Sequence, residues 1–315
     1  MRMFGQRAGK FIDRLPNDAA GIYHFRAGFG QASVDLARRR GLKTICDHSL
    51  VHPSLLQPLI ENDGQFPADR PDPPNGFWSC VLEDIESADL VLVNSDFVAE
   101  TFVFMGFDMS RVAVAYLGVE DKFMACLPVE RTYGDAGDAA PLKLLFAGGI
   151  GARKGVNLIQ ECLSKAPDLP LKLDLAGSLS PGAAKAYAGL LADKRVTYHG
   201  MLSQQDLAEL MSRSDAFVFP TLAEGSARVV FEAMAAGCAV ITTPNAGSVV
   251  QDGKGGYLIA PGNVDALQEA LTKACEAREL IAKMGRANTA LVKSKYRQAN
   301  YGDKLEEIYA RAKAR

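Results

Sequence analysis

No stretch of this 315-residue sequence stays apolar for the ~20 residues that a membrane-spanning helix requires. Its longest apolar runs, such as 215–221 and 231–243, are too short or are broken by proline, glycine and charge. A secretory signal is lacking as well: Asp13, Arg14, Asn17 and Asp18 stand where an apolar stretch would have to follow the basic start. These absences predict a cytoplasmic protein. The six cysteines, Cys46, Cys80, Cys126, Cys162, Cys238 and Cys275, form no C-x-x-C pair, which excludes a thiolate metal clamp or dithiol couple and suits reduced thiols. Of the four histidines only His48 and His52 are close, and they lack the Glu and third ligand of a helical zinc site, so no metal is expected. Charge of one sign is missing too: 35 Lys and Arg face 37 Asp and Glu, so no basic field for nucleic acid exists.

What is present is the composition of a soluble globular protein, with 48% hydrophobic and 23% charged residues. The length exceeds the roughly 250 residues at which one core stops growing, so two domains are predicted. Short β-rich runs alternate with amphipathic stretches from Gly21 onward: strands over 21–25, 43–46, 90–94 and 112–116, helices over 32–40 and 97–105. Residues 126–141, with Pro128, Gly134 and Gly137, interrupt the rhythm as a linker does. It restarts with strands over 142–147, 171–176, 196–199, 216–220 and 239–243, separated by helices, which predicts a doubly wound α/β domain over 142–290. A charged helical tail over 291–315 is placed to cross back to the first domain, residues 1–125.

Two segments carry chemistry. In Phe146-Ala-Gly-Gly-Ile-Gly-Ala-Arg-Lys-Gly155 a strand runs into a glycine turn and a helix. Gly148 and Gly149 allow close backbone approach, the helix start offers free N–H groups, and Arg153 and Lys154 supply positive charge, a combination suited to phosphate. A plain glycine turn with a solvated Arg-Lys pair fits the same residues, and no Walker A lysine follows. In the second segment, 219–237, a strand ends at Pro220 and a turn carries Glu224-Gly225-Ser226. A helix then holds Ala227, Val229 and Glu232 and stops at Gly237. Carboxylates accept from paired hydroxyls, and the amides of Gly225, Ser226 and Ala227 suit an anion at the helix start. Glu224 alone also fits a helix-dipole role, whereas Glu232 amid Val229, Val230, Phe231, Ala233 and Met234 calls for a partner.

Glu224 and Glu232 form an E-x7-E motif, and most of the C-terminal domain resembles the retaining GT-B glycosyltransferases of family 4. The resemblance rests also on Ala147-Gly148, Lys154-Gly155, His199-Gly200, Pro220, and Pro244-Asn-Ala-Gly-Ser-Val-Val-Gln-Asp-Gly253 followed by Gly256-Tyr-Leu-Ile. It implies a GT-B fold of two Rossmann-like domains facing across a cleft, and a hexosyltransferase of polysaccharide biosynthesis. Its donor would be a nucleotide sugar, UDP- or GDP-linked, acting as substrate with no further cofactor. Lys154 would hold the diphosphate, Glu232 the ribose and Glu224 the transferred sugar, with help from the amides of 225–229. Where the family usually has an arginine this sequence has Gly149, and Arg153 is expected to replace its charge. Cys46-Asp47-His48 stands at a family T-x-H segment, which makes His48 the N-terminal site candidate, against a surface-loop histidine beside Pro53.

Relative to that family the opening βαβ units have no counterpart before Gly21, where only a short polar lead-in is expected, so the first domain reads as shortened and incomplete. Transfer to a glycan, lipid-linked or polysaccharide-precursor acceptor is the leading reading. The alternative is a nucleotide-sugar-binding protein with little transferase activity. A GT-B phosphorylase, a nucleotide-sugar epimerase and a dinucleotide oxidoreductase trail. The last rests on Arg26-Ala-Gly-Phe-Gly30, which lacks the full G-x-G-x-x-G form. Arg38-Arg39-Arg40 with Lys43 reads either as a solvated helix cap or as peripheral contact with the inner face of the cell membrane.

Overall fold

The computed structural model describes residues 2–16, 21–129, 131 and 140–314. Asn17, Asp18, Gly134 and Gly137, used above for the start and the linker, lie outside the described residues. The chain divides into two units, one of Met1–Pro58, Phe66–Tyr116 and Ala299–Arg315, the other of Leu59–Gln65 and Leu117–Gln298. The seven residues Leu59–Gln65, placed by sequence in the first domain, join the second unit. Their backbone is held there: the Gly64 carbonyl accepts from Asn245 Nδ2 at 2.7 Å, and Gln65 Nε2 donates to the Pro261 carbonyl at 3.0 Å.

In the first unit four parallel strands, β1 (Ile22–Arg26), β2 (Lys43–His48), β3 (Leu90–Val93) and β4 (Val112–Val114), lie in chain order. Right-handed crossovers that always step the same way put the helices Ala32–Arg39, Phe77–Ser87 and Asp96–Phe104 on one face. There Val34, Val81, Ile85, Val98 and Phe102 from the helices meet Phe25, Cys46, Val91 and Val93 of the sheet. The period-2 alternation of β3 turns Leu90 and Leu92 the other way, onto a face that no crossover covers. The C-terminal helix Gln298–Lys313 closes it with Ile308 and Ala312, flanked by Tyr301, Leu305 and Tyr309. The preceding helix Arg278–Lys295 packs in the second unit, where Asn288 Nδ2 donates to the carbonyls of Cys238 and Gly255.

Before Gly21 the structure has an 11-residue helix, Arg2–Ile12, in place of the expected polar lead-in. Ile12 packs against Ala37 and Leu42. Gly5 permits the approach, since a Cβ there would meet the Gly30 carbonyl at 3.0 Å.

The second unit is doubly wound. Its strands are β5 (Leu142–Ala147), β6 (Leu171–Ala176), β7 (Val196–Gly200), β8 (Ala216–Phe219), β9 (Ala239–Thr242) and β10 (Gly256–Leu258). All pair in parallel in the order β10-β9-β8-β5-β6-β7. The winding reverses between β5 and β8, and at such a switch point the loops leaving the two carboxyl ends part to form a crevice. The chemistry-bearing segments 148–155 and 220–227 are those two loops.

Candidate functional site

Glycine decides the shape of the first loop. After β5 the chain turns at Gly148 and passes through a short 3-10 turn, Ala152–Lys154, to Gly155 at φ +74°. A Cβ on Gly155 would lie 2.0 Å from the Pro220 carbonyl oxygen, so only glycine lets the two loops touch. Hydrogen bonds then stitch them: the Arg153 carbonyl accepts from Leu222 N and from Thr221 Oγ1, each at 2.9 Å. The loop after β9 braces the other side. Its Asn245 carbonyl takes the Glu224 N–H at 3.0 Å, while Asn245 Nδ2 donates to the carbonyls of Leu222 and Gly64, each at 2.7 Å.

This scaffold brings three charged groups together. Glu224, 8% exposed, receives Arg153 Nη1 on Oε1 at 2.6 Å, Lys154 Nζ on the same oxygen, and Thr221 Oγ1 at 3.3 Å. Arg153 Nη1 also donates to the Ala223 carbonyl at 2.7 Å, and Lys154 Nζ stands 5.3 Å from the centre of the Phe219 ring. Burial lowers the Lys154 ammonium below the usual lysine value, and Glu224 opposes that. Two cations and one carboxylate leave a net positive, partly desolvated spot at the mouth of β5 and β8, which suits a multiply charged anion.

Glu232 is the fifth residue of the helix Arg228–Ala235, little more than one turn in. It is half-buried, and burial raises its carboxyl above the usual range; Arg228 works against that shift and Glu120 with it. Arg228 is itself paired with Glu120.

One expected contribution fails. The Ala227 N–H donates to the Ala246 carbonyl at 2.9 Å, so this amide is engaged within the protein and does not face an anion. Ser226 and Val229, by contrast, stay half-buried at the helix start, beside the buried Gly225. Gly149 is exposed and has room for a side chain, its nearest neighbour being Ser178 Oγ at 3.5 Å from a built Cβ. The guanidinium of Arg153 is nevertheless the one that reaches Glu224.

His48 belongs to the first unit and is not the surface-loop residue that was weighed for it. It ends β2, is 4% exposed, and its Nε2 lies 3.0 Å from the Val51 carbonyl. Burial pushes its imidazole down to about 4, and burial does the same to His52, with His48 adding to the effect. Both rings stand edge-on to Phe102.

The turn after β1 offers no anion site either. Asp84, buried on the helix Phe77–Ser87, accepts the N–H groups of Gly28, Gly30 and Gln31 at 2.8, 2.8 and 2.6 Å. The protein's own carboxylate thus takes up the amides of this glycine turn. In the basic cluster, Arg38 meets the Ser87 carbonyl and Asp89, and Arg40 meets Asp13 and the Leu15 carbonyl. Among the described residues no group of three or more His, Cys, Asp or Glu is placed to hold a metal ion, and no helix is long and apolar enough to cross a membrane.

Two Rossmann-like units of parallel sheet with a charged site at the switch point of the second define the GT-B class of folds. A solved structure agrees: Anabaena HepE in complex with UDP and glucose superposes with a TM-score of 0.70 at 16% identity, covering 98% of this chain and 83% of that one. Residues 141–277 match the protein-family model described as glycosyl transferases group 1. In sequence, the sulfoquinovosyl transferase SQD2 of Arabidopsis thaliana is 26% identical over 225 residues, 67% of this chain and 43% of the relative. The D-inositol 3-phosphate glycosyltransferase of Streptomyces griseus subsp. griseus is 26% identical over 276 residues, 78% of this chain and 58% of the relative. The matches thus span about half the length of these curated relatives.

Proposed function

We propose that the protein is a retaining glycosyltransferase of family 4 type that moves a hexose from a nucleotide-diphosphate sugar to a glycan, lipid-linked or polysaccharide-precursor acceptor. The observation that carries this reading is the meeting of Arg153, Lys154 and Glu224 at the switch point of a group 1 glycosyl transferase domain. Lys154 and Arg153 hold the diphosphate, with Ser226 and Val229 at the helix start beside it; Glu232 takes the ribose hydroxyls and Glu224 those of the transferred sugar. As the glycosidic bond lengthens, negative charge grows on the β-phosphate, and the two fixed cations stabilise it without reorganising. His48, neutral and buried in the first unit with its Nε2 on the Val51 carbonyl, stays a candidate by the resemblance alone.

The relatives named for sulfoquinovosyl and inositol-phosphate transfer favour an enzyme over a mere binding protein. Peripheral membrane contact draws less support, because Arg38 and Arg40 are engaged by protein groups.

Calorimetric titration with UDP, GDP and ADP tests the reading. One nucleotide binds the wild-type chain, and Lys154→Ala and Glu232→Ala abolish or greatly weaken that binding. A folded wild-type chain that binds none of the three would overturn the assignment.

A further inference from the structure

The two cations assigned to the diphosphate are not idle without it: both contact one oxygen of Glu224. The same oxygen takes Thr221 Oγ1 as a third donor at 3.3 Å. The Glu224 side chain is 11% exposed, so water screens the pairing poorly. The backbone under it is fixed, because the N–H of Glu224 is held by Asn245 and the carbonyls of Leu222 and Ala223 by Asn245 and Arg153. Whatever gives way when a diphosphate arrives is therefore the carboxylate side chain and not the loop.

From this geometry we infer that Glu224 is a specificity-determining residue that competes internally with the diphosphate, so that the site favours a nucleotide sugar over a free nucleoside diphosphate. The inference rests on the donor-site reading above. A nucleotide sugar displaces the carboxylate from Arg153 and Lys154 and offers it sugar hydroxyls in exchange, so the displaced charge keeps hydrogen-bond donors. A nucleoside diphosphate displaces it and offers nothing. The carboxylate then returns to the cations and weakens the hold on the phosphates, which favours release of the product after transfer.

The test is to titrate wild type and Glu224→Gln with UDP, GDP and ADP and with their hexose conjugates, by calorimetry and by ligand-induced shift in melting temperature. Glu224→Gln keeps the side-chain volume and removes the competing charge. It is expected to bind the nucleoside diphosphate roughly tenfold more tightly than wild type, and the nucleotide sugar more weakly, so that the preference between them reverses. Glu224→Ala moves the diphosphate affinity in the same direction and serves if the glutamine variant does not fold. Equal or weaker nucleoside diphosphate binding by the folded variants would overturn the inference while leaving the donor site intact. No binding by the wild-type chain would remove the donor site itself, and the inference with it.

Discussion

Gly155 and Pro220 are in backbone contact, and that contact sets the spacing of the two site loops. A Cβ on Gly155 would sit 2.0 Å from the Pro220 carbonyl oxygen, and the residue's φ of +74° already disfavours any side chain. Gly155→Ala is expected to cost about 3 kcal/mol in denaturant unfolding and to abolish nucleotide binding, because relief of the clash shifts the loop that carries Arg153 and Lys154, the two cations proposed to hold the diphosphate. Gly151→Ala is the control. It lies in extended backbone with nothing within 4 Å of a built Cβ, so its stability should stay within about 0.5 kcal/mol of wild type.

Asn245 clamps the Glu224 loop through two buried donors, and its two carbonyl partners have no other way to meet the same donor. Asn245→Ala leaves the carbonyls of Gly64 and Leu222 without that partner and is expected to lower stability by about 2 kcal/mol. Turnover should drop more than donor affinity, since Glu224 loses its fixed backbone while Lys154 keeps its own. Asn245→Asp should be worse than alanine, because a carboxylate would face two carbonyl oxygens. Steady-state kinetics beside urea melts check the order, and an aspartate variant that matches wild type would show that the clamp has no such role.

The parts of the site that sequence makes legible are those whose reason is local. Gly155, Lys154, Glu224 and Glu232 stand in short segments where a strand, a glycine turn and a helix follow one another, and the pattern declares the chemistry. Asn245 and Asp84 are not legible that way. Asn245 acts on carbonyls 23 and 181 residues distant, and Asp84 on amides 53 to 56 residues distant, so their work exists only once the chain is folded. Strands with buried runs, such as Leu90–Val93, announced themselves, whereas β10 has three residues, too few to show a period. The helix Arg2–Ile12 was not legible because Gly5 and Gly9 lower the helix propensity of a segment that reads as a short polar lead-in. The Ala227 amide was misjudged because its acceptor, the Ala246 carbonyl, comes from the loop after β9.

His48 and His52 make the first unit sensitive to acid. Each titrates near 4 in the folded protein, against 6.5 for an ordinary histidine, so the unfolded chain binds more protons between those values. Their contribution to stability is complete above pH 6.5 and is lost as pH falls toward 4, at up to about 1.4 kcal/mol per pH unit for each histidine. Urea midpoints measured at intervals from pH 7.5 to 4.5 should therefore fall, and His48→Gln, which keeps a donor for the Val51 carbonyl, should flatten the slope. An unchanged slope in that variant would assign the acid sensitivity to other groups.

The C-terminal helix closes the first sheet because a four-stranded sheet wound in one direction leaves one face without crossover helices. Ile308, 4% exposed, is the residue it sets against Ile45, Leu90, Leu92 and Ala113. Ile308→Asp places an unpaired carboxylate on that face and is expected to cost about 3 kcal/mol or more, and to expose apolar surface to a hydrophobic dye. Val103→Asp, at a position 57% exposed on the helix Asp96–Phe104, should change little. If the helix only rested on the sheet, the two substitutions would have similar effects on unfolding and dye binding. A large difference between them makes residues 299–315 part of the first unit's core, although they are its last residues in sequence.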